Sequence, residues 1–205
     1  MEELIDRKLK HPGNDLLSKL ANEQLEPGNI DKQVIRQIVF LILVAGYATQ
    51  INTIGLGVVT ALDHPDQLAA PRKDPSLALK FINEFCRVHT ASALSSRRVA
   101  SVDIAFEGNM IKKIDGGMAS NQAGEQRRQG ISEPKQIRYV SRFKQPMLAF
   151  GHGRHACIRE WLSSTELETT FAKWFTKLPN LKVAGELKYT PPTKDVGLSR
   201  VDVQW

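Results

Sequence analysis

The sequence predicts an α+β fold in which helices dominate. Three observations carry that prediction. Apolar residues recur at helical spacing over 32–62 and again over 158–175, short segments near 102–106 and 201–205 alternate apolar and polar residues, and clusters of Pro, Gly and Asp separate the two kinds of segment. At 205 residues, 41% hydrophobic and 24% charged, the chain can bury a sizeable core, and its composition argues against disorder. It is expected to form a single partial domain over 1–205.

Residues 1–30 are predicted to hold two short helices. Glu2-Glu3-Leu4-Ile5-Asp6-Arg7-Lys8-Leu9 reads as amphipathic helix from its first residue, without a Ser, Thr, Asp or Asn to cap it, so the chain is expected to begin inside a helix. Asp15 to Leu25 places Leu16, Leu17, Leu20 and Leu25 at helical spacing and closes on Pro27-Gly28-Asn29. Asp31 then caps the long helix of segment 31–63. Its apolar run from Ile38 to Ala48 is too short to span a bilayer unaided, and Thr49, Gln50, Asn52 and Thr53 follow, so a buried helix and no membrane span are expected. His64-Pro65-Asp66 and Lys73-Asp74-Pro75 read as turns. Pro75 opens segment 75–98, a helix with Leu77, Phe81, Ile82, Phe85 and Val88 on one face and a strand after it. Segment 99–149 reads as a small sheet and an irregular stretch, with Val102, Ile104 and Phe106 alternating into a hairpin turn at Glu107-Gly108-Asn109. Segment 150–178 is a glycine loop and a helix whose apolar face runs through Ile158, Trp161, Leu162, Leu167, Phe171, Trp174 and Phe175. A C-terminal hairpin over 179–205 ends in alternating Val201, Val203 and Trp205, with Asp195 near its tip.

The stretch richest in chemistry is Phe150-Gly151-His152-Gly153-Arg154-His155-Ala156-Cys157. Glycines at 151 and 153 open backbone angles closed to other residues and let the main chain approach a flat ring system. The helix that follows aims free N–H groups and its positive dipole end toward the sulfur, and both effects favour thiolate over thiol. This is how a protein builds a thiolate ligand for haem iron. Three other readings compete on the residues alone. Gly151-x-Gly153-x-x-Ala156 fits a dinucleotide-binding fingerprint, which needs a strand before it, and Met147 to Phe150 after Pro146 makes a poor one. His152, His155 and Cys157 would be zinc ligands of unusual spacing. The plainest alternative is a helix cap with one buried cysteine.

Two further groups stand out. Ala45-Gly46-Tyr47-Ala48-Thr49 sits midway along the long helix, where a small pair admits either a flat ligand or an ordinary helix crossing. Glu84 and Arg87 fall one helical turn apart and can pair, as surface residues at this spacing commonly do.

In chain order, Ala-Gly-x-x-Thr, Glu-x-x-Arg and Phe-Gly-x-Gly-x-His-x-Cys resemble the motifs of the cytochrome P450 superfamily, the last at every fixed position. Leu43 to Gly46, Leu62 to Ala69, His89 to Leu94, Ala119 to Gln122 and Asp195 to Gly197 resemble its fungal nitric oxide reductase type, which shares alanine before the distal threonine. The resemblance implies the C-terminal haem-binding part of that fold, with the N-terminal half absent. It implies haem b held by Cys157 as axial ligand, with Ala45, Gly46, Phe150 and Gly151 near the macrocycle and His155 and Arg98 on the propionates. Thr49, Ser92 and Asp195 would line a distal proton route, and Glu84 and Arg87 would tie their helix to the cysteine loop. Nitric oxide, or another small molecule, would be the substrate, with NADH or NADPH as direct donor and no separate redox partner. An organic-substrate monooxygenase is the alternative within the family, and a non-catalytic remnant the alternative outside enzymes.

Several positions depart from the pattern. Ala48 replaces the acid that assists proton delivery in most oxygen-activating members, which disfavours monooxygenation. Arg159 stands where relatives keep a small residue and needs room and a partner, and Tyr47 is expected to crowd the distal side. Glu125-Gln126-Arg127-Arg128-Gln129 replaces an Asn-Arg-Asp-Glu segment, and Glu133 to Gln136 only partly matches the family, so this region reads as divergent. A net charge of +6, scattered and without interleaved aromatics, argues against nucleic-acid binding. Two cysteines and no signal peptide point to a reducing compartment, cytoplasmic or, for a longer form, mitochondrial.

Overall fold

The computed structural model describes residues 1–90, 94–126, 137–138, 147–190 and 197–205. These form two units, Met1–Ala48 and Thr49–Trp205. In the first, α1 (Glu2–Lys10) has no side-chain cap at Met1, as predicted, and carries Glu2 and Glu3 in its first turn and Arg7, Lys8 and Lys10 in its last. That order complements the helix dipole. Asp15 caps α2 (Leu16–Leu20) by accepting from Ser18 N at 2.9 Å, and Lys8 Nζ lies 2.5 Å from its other oxygen. These partners hold the Asp15 carboxyl down at about 2, the lysine contributing most. The chain continues through a wide π-type turn, Ala21–Leu25, and reverses at Gly28, whose φ of +79° favours glycine. Ile5, Ala21 and Ile35 are fully buried.

The longest element is α3 (Lys32–Asp63). Asp31 Oδ1 accepts Val34 N at 2.8 Å, which explains why the helix starts there. By length and composition, with a mean hydropathy of 1.7 over its most apolar stretch, α3 is apolar enough to cross a membrane, a test that core helices of soluble proteins also pass. The predicted burial of its middle is corrected: Phe40, Leu41, Leu43, Val44, Tyr47 and Ile51 are exposed. An apolar run shows that a helix face wants cover, but it does not supply the covering element. Toward its C-terminal end the same helix turns inward, and Leu56, Val59 and Ala61 are buried.

The core of the second unit is aromatic. The turns predicted around His64 and Lys73 instead bracket a further helix, α4 (Pro65–Lys73), because proline at the first helical position loses no hydrogen bond and Leu68 and Pro71 can be buried. Asp74 Oδ1 accepts Ser76 N at 3.1 Å and starts a 3₁₀ turn that runs into α5 (Ala78–Val88). Its buried face of Ala78, Phe81, Ile82 and Phe85 meets α7 (Glu160–Lys177), which buries Leu167, Phe171, Trp174 and Phe175. Phe81 lies 5.1 Å from Phe171 and 5.3 Å, edge-on, from Phe175. Ring pairs of this kind add about 0.5–1.5 kcal/mol each beyond burial. Gly57 on α3 admits Phe171, since a Cβ there would meet the ring Cζ at 2.5 Å. The apolar face predicted for α7 is shorter than expected: Ile158, Trp161 and Leu162 are exposed, and burial begins at Leu167.

Strands form small antiparallel pairs. β1 (Leu94–Val99) pairs with β4 (Gly116–Ser120), and the predicted hairpin between them is β2 (Ile104–Phe106) and β3 (Asn109–Ile111). Its two turn residues, Glu107 and Gly108, have φ of +48° and +75°, the signature of a type I′ turn. Ser120 caps the short α6 (Asn121–Glu125) by accepting Ala123 N at 3.1 Å. The C-terminal hairpin nests β6 (Lys188–Tyr189) with β7 (Leu198–Arg200) inside β5 (Lys182–Val183) with β8 (Val203–Gln204).

At the C-terminal end of α5, His89 Nε2 lies 3.1 Å from Thr60 Oγ1, and the Thr60 carbonyl is 2.9 Å from His64 Nδ1. Burial, and then the neighbouring His64, push the His89 pKa below its ordinary 6.5. Folding therefore prefers neutral His89, so its contribution is full above about pH 6.5 and is lost as pH falls toward the folded-state value. The urea midpoint is expected to fall between about pH 7.5 and 5.5, and to fall less in His89→Gln; equal falls would rule this histidine out as a source of the pH dependence.

Candidate functional site

The cysteine loop is closed by its own backbone. Leu148 O accepts Gly151 N at 2.8 Å, and Gly151 and Gly153 then take φ of +77° and +74°. A Cβ at Gly151 would meet only ordinary contacts and one at Gly153 none, so left-handed backbone rather than space is what calls for glycine here. A 3₁₀ turn, Gly153–His155, follows, and Cys157 N donates back to Phe150 O at 2.8 Å. The octapeptide thus begins and ends on one hydrogen bond. Cys157 lies in the turn leading to α7, where its carbonyl accepts Glu160 N at 3.3 Å. Its thiol is free and exposed. Cys86 is the opposite case: burial first, and the charge of Glu125 second, push its thiol up to about 12, which keeps it protonated and inert.

A buried polar network stands behind the loop. Arg87 forks onto Glu84, with Nε 2.8 Å from Oε2 and Nη2 2.9 Å from Oε1, both side chains almost fully buried. Arg87 Nη1 also donates to the Glu125 carbonyl at 3.1 Å, and Glu84 Oε1 accepts Arg138 N at 2.9 Å. Glu125, buried on α6, accepts from Leu148 N and from Ala149 N with one oxygen. The predicted tie between the Glu-x-x-Arg helix and the cysteine loop is therefore present, and it passes through Glu125. That residue was missed because its segment departs from the family pattern; the signal was an acidic side chain at the end of a short, Ser-capped helix. The part of that region lying over 127–136 is outside the described residues.

The structure brings Phe150, Gly151, His155 and Cys157 together in one loop and joins Glu84 to Arg87. His155 and Arg98 are exposed, and Arg98 Nη1 donates to Arg97 O at 3.1 Å. Ala45 and Gly46 lie on α3 in the first unit; Thr49 lies on the same helix in the second, exposed, its carbonyl accepting Thr53 Oγ1 at 2.7 Å. Ser92 and Asp195 fall outside the described residues. Arg159 finds the partner it needs in Glu166, 3.5 Å away along α7. The ring of Tyr47 is exposed.

The rival readings of the octapeptide fare poorly against this geometry. The described residues just before Gly151, Met147 to Phe150, form no strand, so they do not supply the context of a dinucleotide fingerprint. Among the described residues no three His, Cys, Asp or Glu side chains gather as metal ligands, His152, His155 and Cys157 included. Cys157 is exposed, so it is not a buried helix-cap cysteine. The residues do fit a thiolate-held haem: one open sulfur, left-handed glycines beside it, and exposed N–H donors at His155 and Arg98 for carboxylates.

A helical α+β core that presents one open cysteine from a glycine loop, braced by a buried Glu–Arg pair, is the arrangement a haem-thiolate protein needs. No protein-family model matches the chain. Over its whole length it is 40% identical to cytochrome P450 55A3 of Fusarium lichenicola and 33% identical to cytochrome P450 105A3 of Streptomyces carbophilus, covering 51% and 50% of those proteins. The crystal structure of cytochrome P450 MoxA from Nonomuraea recticatena matches all of the chain with a TM-score of 0.94 at 29% identity, the chain covering 51% of it. The chain belongs to the cytochrome P450 family, of whose fold it is a part, and it spans about half the length of the relatives it matches. Membership in this family of oxidoreductases implies haem.

Proposed function

We propose that the chain is the cysteine-ligand part of a nitric oxide reductase, converting nitric oxide to nitrous oxide with NADH or NADPH as direct donor. The observation that carries this reading is the open Cys157 sulfur on a loop clamped to the buried Glu84–Arg87 pair. Bound there, haem would supply redox chemistry at an iron made electron-rich by the thiolate. The chain's own residues have simpler tasks. As the resemblance implies, Cys157 would bind the iron, His155 and Arg98 would offer N–H donors to the propionates, Ala45 and Gly46 would leave room for the macrocycle, and the Thr49 hydroxyl would hold a proton for delivery, with Ser92 and Asp195 on the same route. The balance needs one hydride and one proton: two nitric oxide molecules give nitrous oxide and water.

Support for nitric oxide over organic substrates comes from two sides. Ala48 removes the acid of the acid–alcohol pair, and the chain is more like a fungal cytochrome P450, at 40% identity, than like the bacterial cytochrome P450 105A3, at 33%. Relatives named vitamin D3 dihydroxylase and mycinamicin VIII C21 methyl hydroxylase, 31% and 30% identical, favour monooxygenation as the second reading. A non-catalytic remnant is the third reading.

The test is to express residues 1–205 with haem, reduce the product under carbon monoxide and record its Soret absorption. A strongly red-shifted band is expected, followed by consumption of nitric oxide with NADH or NADPH. Absence of retained haem, or a histidine-type band, would favour the remnant. A thiolate-type band with turnover of an organic substrate but not of nitric oxide would favour the monooxygenase.

A further inference from the structure

We propose that Glu125 is a positioning residue for the cysteine loop, acting on Cys157 through the backbone of Leu148 and Ala149. Its bearing on chemistry rests on the reading of Cys157 as the haem ligand. Glu125 ends a helix of five residues, yet its side chain is only 2% exposed. Burying a carboxylate is expensive unless it is well bonded, and Glu125 meets that need with backbone N–H groups of a segment 23 and 24 residues further along the chain.

The hydrogen bonds then run in sequence toward the sulfur. Leu148, whose N–H Glu125 holds, gives its carbonyl to Gly151 N, the residue that begins the left-handed turn. Phe150, inside that turn, gives its carbonyl to Cys157 N. On its other side Glu125 receives Arg87 Nη1 on its main-chain oxygen. One residue therefore joins α5 to the loop, by its backbone in one direction and its side chain in the other. The two segments also approach closely, since a Cβ on Gly124 would come within 2.7 Å of Leu148 Cδ1. Reach is what the loop needs from position 125. Aspartate is one methylene short, and glutamine keeps the length and an acceptor oxygen while losing the charge.

The experiment uses the full chain without haem and reads two signals. Hydrogen exchange reports the Leu148 and Ala149 amides directly, and iodoacetamide reports Cys157, because Cys86 is buried and protonated. Glu125→Asp is expected to speed exchange at both amides about tenfold relative to Phe171 on α7, and to change the rate of Cys157 alkylation at a fixed pH. Glu125→Gln is expected to keep both signals near the parent. Unchanged exchange in Glu125→Asp, acceleration shared equally by Phe171, or an alkylation rate that does not move would each overturn the proposal, as would a glutamine variant no better than aspartate. Should Glu125→Ala fail to fold, the aspartate and glutamine chains still carry the comparison. The haem reading fails separately: a parent chain without a thiolate–carbonyl band, but with protection that depends on Glu125, would remove the ligand assignment and leave the loop clasp standing.

Discussion

Cys157→Ala is expected to abolish any red-shifted carbonyl Soret band of the haem-loaded, reduced chain. Among the two cysteines, only Cys157 presents its sulfur to solvent. Cys86 cannot substitute, because burial pushes its thiol up to about 12 and it faces the interior of the second unit. Serine at 157 should behave like alanine for this band, since a hydroxyl does not ionise near neutral pH and donates far less electron density to iron. The remaining candidate donors near the loop, His152 and His155, would give a band of histidine type. The measurement is the reduced carbonyl spectrum of parent and variant at equal haem content. A red-shifted band that survives in Cys157→Ala would sink the ligand assignment and the proposed function with it.

Glu84→Ala is expected to destabilise the second unit by about 3–5 kcal/mol, the range for removing one partner of a buried ion pair. The penalty is large because of what is left behind. Arg87 would keep its charge, 3% exposed, with two of its N–H groups robbed of Glu84 and little water to replace it, while Arg138 N would lose its acceptor. The pair itself need not be a strong net stabiliser, since well-packed apolar residues of similar volume often match a buried ion pair. An exposed pair such as Arg36–Glu2 makes the contrast: removing either partner should cost no more than about 1 kcal/mol. Urea unfolding of the two variants at one pH and salt concentration compares them directly. A Glu84→Ala loss below about 1 kcal/mol would show that water or another side chain already satisfies Arg87.

Much of the fold and part of the site could be read from local chemistry. Asp31 caps the long helix it precedes, Glu107-Gly108 turns the hairpin, and Gly151 and Gly153 take the left-handed angles their positions suggested. Each of these rests on one residue's own backbone preference or on a bond spanning three or four residues, which is why the sequence carries it. The Glu84–Arg87 fork was legible as a pairing, but its burial was not, because spacing along a helix says which side chains meet and nothing about what covers them. The same reason explains α4, hidden between two prolines read as turns, and the short core face of α7, whose periodicity continues past the point where burial stops.

By itself, then, the sequence determined the helical α+β class, the cap at Asp31, the hairpin turn, the glycine–cysteine octapeptide and the order of its motifs. Only tertiary structure decided that Cys157 is open and Cys86 closed, that Arg159 is paired with Glu166, and that Glu125 reaches across from α6 to hold the loop. These are outcomes of desolvation and of contacts between residues distant in the chain. Their energies depend on which surfaces meet, and no local pattern encodes that.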